Sequence, residues 1–178
     1  MATPVPDNDP DARQEHLPPR PGSDLSDRVD AGLTHIALTV ADIDRSIAFY
    51  GDFAGFEVVH RRTDPVSAHS VAWLSDLTRP FVVVLIEADQ PSPPLGGLNH
   101  LGVAVNARAD VDRLAAKGHE ESRKVLGPVD SGYPVGYWAF IEDPDGHNLE
   151  VSFGQEVGLT VETHASEVGQ RADRPAHP

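Results

Sequence analysis

The chain has 178 residues, no cysteine and a formal net charge of −14, so disulfides and thiolate metal sites are excluded and binding to the phosphate backbone of nucleic acids is disfavoured. It has no run of about 18 apolar residues that could span a membrane, and its first residues lack the apolar segment of a secretion signal. We therefore expect a cytoplasmic protein that binds neither nucleic acid nor membrane.

The two ends of the chain differ in composition from its middle. Residues 1–30 are rich in Pro, Asp, Arg and Ser and have no hydrophobic period, so we predict a disordered N-terminal arm. We predict that residues 31–154 form the folded domain, with modules at residues 33–88 and 98–154. Residues 155–178 are predicted to be a partly disordered tail, with a short strand or helix near its start.

The first module begins with the alternating segment LTHIALTV, which predicts a strand at residues 33–40. Asp42 is placed to cap the following helix, IDRSIAFYGDFAGF, and Gly55 is placed to end it. Three β-rich runs come next, FEVVHRR, HSVAWLS and FVVVLIEAD. The first module is therefore predicted to have the order β-α-β-β-β.

The segment DQPSPPLGG, residues 89–97, is predicted to be a linker because it is rich in proline and glycine. The pattern then restarts with the strand segment LNHLGVAV. A helix is predicted around residues 109–117, with Gly118 as its stop. The last strands lie near GYWAFIED and HNLEVSFG and are joined by a turn at residues 143–146.

The restart is an internal repeat in which His35 corresponds to His100, an offset of 65 residues (100 − 35). The last strand of each module carries a glutamate among apolar residues, Glu87 and Glu150. A buried carboxylate is costly unless it is paired, protonated or bound to a metal. Two imidazoles and two carboxylates suit one six-coordinate divalent ion such as Ni, Co, Zn, Mn or Fe(II), with two positions left for adjacent substrate oxygens.

The segments HIALTVADIDRSIAFY, NHLGVAV and FIEDPDGHNLEV resemble the vicinal oxygen chelate superfamily, which includes glyoxalase I, extradiol dioxygenases, methylmalonyl-CoA epimerase and antibiotic-resistance proteins. The resemblance implies an α+β fold in which paired β-α-β-β-β modules form one open, funnel-like mixed sheet around a single divalent metal ion. It also implies a small-molecule substrate and a homodimer. Carried over by position, the metal ligands are His35, Glu87, His100 and Glu150.

Four filled ligand positions favour the glyoxalase I and epimerase branch, in which a lyase or isomerase acts on a small carbonyl compound or thiol adduct through a metal-bound enediolate. Glu150 or Glu87 is then the catalytic base. Thr39 and Asp130 stand where bacterial-type glyoxalase I has basic residues suited to gripping glutathione. We therefore expect a different thiol or a neutral ketone as substrate. The expected pocket residues are Thr39, Trp73, Tyr137 and Trp138.

Two alternative functions remain open at the level of the sequence. An Fe(II) extradiol-type dioxygenase needs only the two histidines and Glu150, with Glu87 as a bystander. A non-enzymatic, drug-binding protein of the bleomycin-resistance type needs no metal and would line its pocket with aromatic residues. Candidates for that lining are Trp73, Trp138 and Phe140.

Overall fold

The structure, a computed structural model, describes the backbone of residues 32–172 and the side chains of residues 32–165. The compact unit that contains the fold begins at Leu33. The predicted disordered arm, residues 1–30, lies outside the described residues, as do residues 173–178. None of the described helices is long and apolar enough to cross a membrane.

The first module has the β-α-β-β-β order that its sequence predicts. Its strands form a four-stranded mixed sheet in the order β1-β4-β3-β2, in which β1 runs parallel to β4. The helix begins where the Asp42 side chain accepts a hydrogen bond from the Arg45 amide at 3.0 Å, and it ends at Gly55 with φ 68°. The elements are β1 (His35–Val40), α1 (Ile43–Ala54), β2 (Glu57–Thr63), β3 (Ser70–Ser75) and β4 (Val82–Glu87).

The second module repeats this architecture, which confirms the internal repeat. Its strands have the order β5-β8-β7-β6, with β5 parallel to β8. Its elements are β5 (His100–Ala104), α2 (Arg108–Glu120), β6 (Val125–Asp130), β7 (Tyr137–Glu142) and β8 (Asn148–Phe153).

Helix α2 does not stop at Gly118, as its sequence suggests, but continues to Glu120. Gly118 is buried inside the helix. A Cβ atom at this position would lie 2.8 Å from a methyl carbon of Val125. The glycine therefore serves the close approach of α2 to β6 rather than the end of the helix.

After β8 the chain forms a third helix, α3 (Val157–Ala172). This helix is longer than the short strand or helix that the sequence predicts at the start of a partly disordered tail. Its apolar residues Val157, Leu159 and Val161 are exposed. A helix without an apolar face on the core lacks the periodic signal on which sequence prediction depends.

The two modules share one hydrophobic core but are not joined by strand pairing. The described strands form two separate sheets rather than the single continuous sheet that the sequence suggests. Among these strands, β1 and β5 lie at sheet edges, so the modules meet through side chains. The core includes Leu38, Phe49, Leu85, Leu114 and Leu149. The α+β class and the pairing of two β-α-β-β-β modules are confirmed.

The Asp143-Pro144-Asp145-Gly146 turn between β7 and β8 connects the second module to the first. The Tyr50 hydroxyl in α1 donates a hydrogen bond to Asp143 Oδ2 at 3.0 Å, and the Ala41 amide donates to Asp145 Oδ1 at 3.0 Å. Burial raises the pKa of Tyr50 and of Asp143, and the Asp143 carboxylate raises the pKa of Tyr50 further. The turn therefore holds α1 against the second module through the buried Tyr50–Asp143 contact.

His147, which directly follows this turn, makes another connection. Its Nδ1 accepts a hydrogen bond from the Leu95 amide at 3.0 Å, so the ring proton lies on Nε2. That nitrogen is 3.1 Å from the Thr39 carbonyl oxygen, to which it donates. One imidazole thus ties together the linker, the end of β1 and the start of β8.

Candidate metal centre

Each sheet has one face on the shared core and one face that points away from it, which we call the outer face. Side chains alternate along a strand, and residues opposite each other on paired strands share a face. His35 lies on the outer face of the first sheet, because its neighbour Ile36 packs against the core. His100 and Glu150 lie on the outer face of the second sheet, because Leu149 and its partner in β5 face the core.

His100 and Glu150 are brought together by the parallel pairing of β5 with β8. Asn148 lies opposite His100, and Glu150 stands two residues further along β8, on the same face. His100 Nε2 is 3.4 Å from Glu150 Oε2. Glu150 is only 4% exposed, so its carboxylate is shielded from water and depends on its few neighbours for compensation.

The orientation of the His100 ring leaves a lone pair directed at this carboxylate. Its Nδ1 is 2.8 Å from the Leu98 carbonyl oxygen. A carbonyl can only accept, so Nδ1 carries the proton, and Nε2 of the neutral ring is an acceptor. An acceptor nitrogen and a carboxylate oxygen at 3.4 Å need a second proton or a cation between them. Donation of the other ring N–H to a backbone carbonyl is also the usual support of a metal-binding histidine.

Gln155 holds the other oxygen of the Glu150 carboxylate. Its Nε2 donates to Glu150 Oε1 at 3.3 Å, and its Oε1 accepts from the Ser152 hydroxyl at 3.4 Å. The chain turns back toward the strand at Gly154, which has φ 77°. Sequence reasoning missed Gln155, and the glycine that directly precedes it was the available signal for such a turn.

His35 has a position equivalent to that of His100, but among the described residues no carboxylate forms an ion pair with it. Its Nδ1 is 3.0 Å from the Thr34 hydroxyl, and its side chain is exposed on the outer face. Within the described residues, no three His, Asp or Glu side chains converge in a way that could hold a metal ion. The expected quartet is therefore not assembled inside the described part of one chain.

Glu87 lies on the opposite face of the first sheet from His35. It pairs with Val40, at the far end of β1, and Val40 is part of the core. Its carboxylate accepts hydrogen bonds from the Ile43 amide at 3.4 Å and from the Ser70 amide at 3.2 Å. Glu87 thus joins α1 to the start of β3, and its contacts are those of a structural residue.

The donor atoms that do come together fit a divalent cation. One imidazole nitrogen and one shielded carboxylate oxygen form a mixed set that suits Zn, Ni, Co, Mn or Fe(II). His35 supplies an equivalent imidazole on the outer face of the first sheet. Glu87 does not fit this set, because it faces the core side.

A family model described as the Glyoxalase/Bleomycin resistance protein/Dioxygenase superfamily matches residues 32–151. The chain belongs to this superfamily. It is 38% identical over 129 residues to uncharacterized protein PA2024 of Pseudomonas aeruginosa, covering 71% of this chain and 91% of that protein. It is 28% identical over 131 residues to the lactoylglutathione lyase of Salmonella typhimurium, covering 71% of this chain and 95% of that enzyme.

Solved structures of the glyoxalase superfamily share the fold of this chain. The trypanothione-dependent glyoxalase I of Leishmania major matches with a TM-score of 0.57 and 22% identity, covering 79% of this chain and 99% of that one. At this identity the match shows the fold alone. The lyase relatives support a glyoxalase-like enzyme, and the superfamily to which the chain belongs also contains non-enzymes.

Two expected pocket residues of this glyoxalase-superfamily chain lie on outer faces. Trp73 is 41% exposed on the first sheet, with the ring of His60 at 5.1 Å between centroids. Trp138 lies on the second sheet, where its Nε1 donates to the Ser131 hydroxyl at 2.9 Å. The Phe140 ring lies between the rings of Trp138 and His100, at centroid distances of 4.7 and 4.8 Å. An aromatic row therefore leads to the histidine–carboxylate pair.

The structure gives the other two expected pocket residues different surroundings. The Thr39 hydroxyl accepts a hydrogen bond from the Ser92 amide at 2.7 Å, so the linker contacts this end of β1. Tyr137 faces α2, where its hydroxyl donates to Asp112 at 2.5 Å. It therefore lies on the other side of the sheet from Trp138. The sequence neighbourhood of Tyr137 predicts a pocket position, but alternation along β7 excludes this residue from the outer face.

Proposed function

We propose that this chain is a divalent-metal-dependent enzyme of the glyoxalase type, a lyase or isomerase that acts on a small carbonyl compound or thiol adduct. The observation that carries the proposal is the His100–Glu150 pair. The His100 ring directs Nδ1 at the Leu98 carbonyl oxygen and Nε2 at a shielded oxygen of Glu150 that lies 3.4 Å away, an arrangement that suits a divalent cation between the last two atoms. The lactoylglutathione lyase relatives support the same class of reaction.

The residues of this pair have separate roles in the proposed reaction. His100, Glu150 and His35 hold the ion, which when bound supplies a Lewis acid that polarises a substrate carbonyl. Glu150 is the base that moves a proton to or from the carbon beside that carbonyl. Gln155 keeps one carboxylate oxygen occupied, so that the other oxygen remains directed toward His100. Glu87 has no part in this scheme.

We infer that a second copy of the chain completes the site. His35 is exposed on the outer face of its sheet, and no third donor joins His100 and Glu150 among the described residues. A two-fold homodimer can place the first module of one copy against the second module of its partner. Each of the two resulting sites then receives His35 from one copy and the histidine–carboxylate pair from the other.

The charges on the outer faces favour a substrate without strong negative charge. Among the described strands, Arg62 is the one arginine or lysine on an outer face. Its guanidinium lies 3.2 Å from Asp64 Oδ2, so its charge is already paired. Asp130, at the position where bacterial-type glyoxalase I has a basic residue, forms an ion pair with Arg108 on α2 at 2.7 Å. The net charge of −14 acts in the same direction. A neutral ketone or a thiol adduct other than that of glutathione is the proposed substrate class.

The decisive experiment is metal titration of the purified protein with Zn, Ni, Co, Mn and Fe(II), followed by activity assays on 2-oxoaldehyde thiol adducts. His100→Ala and Glu150→Gln should each weaken metal binding by about tenfold or more, because each removes a direct ligand. His60→Ala is the matched control, since it removes an outer-face histidine that does not belong to the His100–Glu150 pair. Failure of the wild-type protein to bind any of these ions more tightly than about 1 mM would falsify the proposal.

An Fe(II) extradiol-type dioxygenase is the second candidate, and the position of Glu87 favours it. With Glu87 on the core side, the remaining donors are two histidines and one carboxylate, the set that non-heme Fe(II) oxygenases use. Anaerobic loading with Fe(II), followed by catechol and air, distinguishes the two candidates. Ring cleavage without turnover of 2-oxoaldehyde adducts assigns the dioxygenase, and the reverse pattern assigns the glyoxalase-type enzyme.

A further inference from the structure

We propose that Val84 limits the metal centre to three protein donors, because it occupies the position at which the internal repeat places a second carboxylate. The proposal rests on the metal-dependent function proposed above. It goes further by naming the residue that sets the number of donors, and with it the number of coordination positions left for exogenous ligands.

The strand registers of the two modules identify this position. In the second module, Asn148 lies opposite His100, and Glu150 stands two residues further along β8. In the first module, Val84 stands two residues beyond the partner of His35 along β4. The same geometry that puts a carboxylate oxygen 3.4 Å from an imidazole nitrogen in one module therefore puts a valine beside the imidazole of the other.

The neighbours of Val84 repeat those of Glu150. Val84 lies opposite Ala37 on one side and Trp73 on the other. Glu150 lies opposite Gly102 and Phe140. Each position thus lies between a small residue on the strand that carries the histidine, β1 or β5, and an aromatic residue on the strand on the other side, β3 or β7. The first module therefore has the histidine, the small residue and the aromatic residue of the second module's site, but it lacks the carboxylate.

A three-donor centre has a different chemical capacity from a four-donor centre. Held by His35, His100 and Glu150, a divalent ion would have one protein ligand fewer than in a four-donor centre, so one more position would be open to substrate oxygens or to water. Glu150 would then be the single carboxylate at the centre, and proton transfer would be confined to its side of the substrate.

The test is to install the missing carboxylate and measure metal affinity. Val84→Glu should tighten Co(II) binding by about tenfold or more, since an added ligand should matter at least as much as an outer-sphere partner. It should also change the visible absorption spectrum of the Co(II) form. In a Glu150→Gln background, Val84→Glu should restore binding, because the carboxylate then comes from the other module. Ile86→Glu is the matched control, on the same strand and face but about 6.6 Å further along.

The outcomes separate this inference from the proposed function. If the wild-type protein binds no divalent ion, the proposed function fails. If the wild-type protein binds Co(II) but the Val84→Glu and Ile86→Glu variants have the same affinity and spectrum, the function stands and this inference is overturned. If Val84→Glu does not fold by circular dichroism, Glu87→Ala decides. Unchanged Co(II) affinity in Glu87→Ala supports the three-donor centre, and a loss of tenfold or more overturns it.

Discussion

At the scale of single residues, the direction of one ring proton determines what the candidate site can do. The Leu98 carbonyl fixes the proton of His100 on Nδ1 and leaves Nε2 as an acceptor beside Glu150. A proton on Nε2 would instead donate to the Glu150 carboxylate, so the pair needs a cation only when Nε2 is bare. The proton position follows from hydrogen-bond geometry, which is why a backbone contact two residues away matters to the chemistry.

Gln155→Met should weaken metal binding, although Gln155 is not itself a proposed ligand. The substitution keeps the length of the side chain but removes the donor to Glu150 Oε1, so the carboxylate is free to rotate away from His100. We expect a loss of about tenfold in Zn(II) affinity, measured by competition with a chromophoric chelator. Unchanged affinity in Gln155→Met would show that Gln155 does not position the ligand.

Glu87→Ala should lower stability without changing metal affinity. The variant leaves the Ile43 and Ser70 amides without their carboxylate acceptor. We expect the free energy of unfolding to fall by about 1–2 kcal/mol, measured by urea denaturation. Glu57→Ala, at an exposed position of β2, is the control and should change stability by less than about 0.5 kcal/mol. A collapse of metal binding with unchanged stability would contradict the structural role of Glu87.

At the scale of elements, the turn between β7 and β8 has a structural function that its motif alone does not reveal. The DPDG sequence ends one strand and starts another, as its turn residues predict. In the fold its two carboxylates also accept hydrogen bonds from α1 and from the residue after β1. The turn therefore orients the first module relative to the second, with the candidate ligand Glu150 on the strand that directly follows it.

Asp143 should make the stability of the protein depend on pH in a defined direction. Burial raises the pKa of Asp143 above its ordinary value of 3.8, although hydrogen bonds from the His147 and Asp145 amides oppose this. The folded protein therefore holds this proton more tightly than the unfolded chain. The stability linked to the protonated carboxyl is present below pH 3.8 and is lost as the pH rises through the folded-state pKa.

Asp143→Asn removes this titration and should gain stability relative to the wild type as the pH rises from the ordinary pKa toward neutrality. The matched control is Asp44→Asn, because the hydrogen bond from Arg61 lowers the pKa of Asp44. That contribution is present above the ordinary pKa and lost as the pH falls, so Asp44→Asn should lose stability relative to the wild type over the same rise in pH. Urea denaturation at several pH values measures both. Parallel pH profiles for the two variants would contradict the assignment.

At the scale of the whole molecule, the proposed site requires modules from two copies. The half-site with His35 and the half-site with His100 and Glu150 are not joined in the described part of one chain. If a two-fold dimer joins them, the modules can be complemented between copies. A dimer of one His35→Ala copy and one Glu150→Gln copy contains one intact site, made from the undamaged module of each copy, and one site that has lost both ligands.

Mixing the two inactive variants should therefore restore metal binding. Random exchange of subunits makes about half of the dimers mixed, so about a quarter of all sites should recover. Zn(II) binding before and after incubation of the mixture measures this, with each variant incubated alone as the control. No recovery in a mixture that is shown by native mass spectrometry to contain mixed dimers would mean that each site forms within one chain.

The sequence by itself determined the type and order of most elements, the two-module repeat and the pairing of His100 with Glu150. These features follow from local periodicity, from the capping residues Asp42 and Gly55 and from the recurrence of one pattern at a fixed offset. Side-chain alternation along β1 also placed His35 on the opposite face of the strand from its apolar neighbours. All of this information is carried by residues close together in the chain.

The tertiary structure alone decided which residues lie opposite one another on β1 and β4. Glu87 and Glu150 have similar spacings from their histidines, but Glu87 lies five residues beyond the partner of His35, whereas Glu150 lies two residues beyond the partner of His100. An offset of an odd number of residues from the histidine's partner places a side chain on the opposite face of the sheet, and an even offset places it on the same face. Strand register depends on contacts between segments more than 40 residues apart, so periodicity within each strand cannot fix it. For the same reason, only the fold revealed the valine that occupies the position of the second carboxylate.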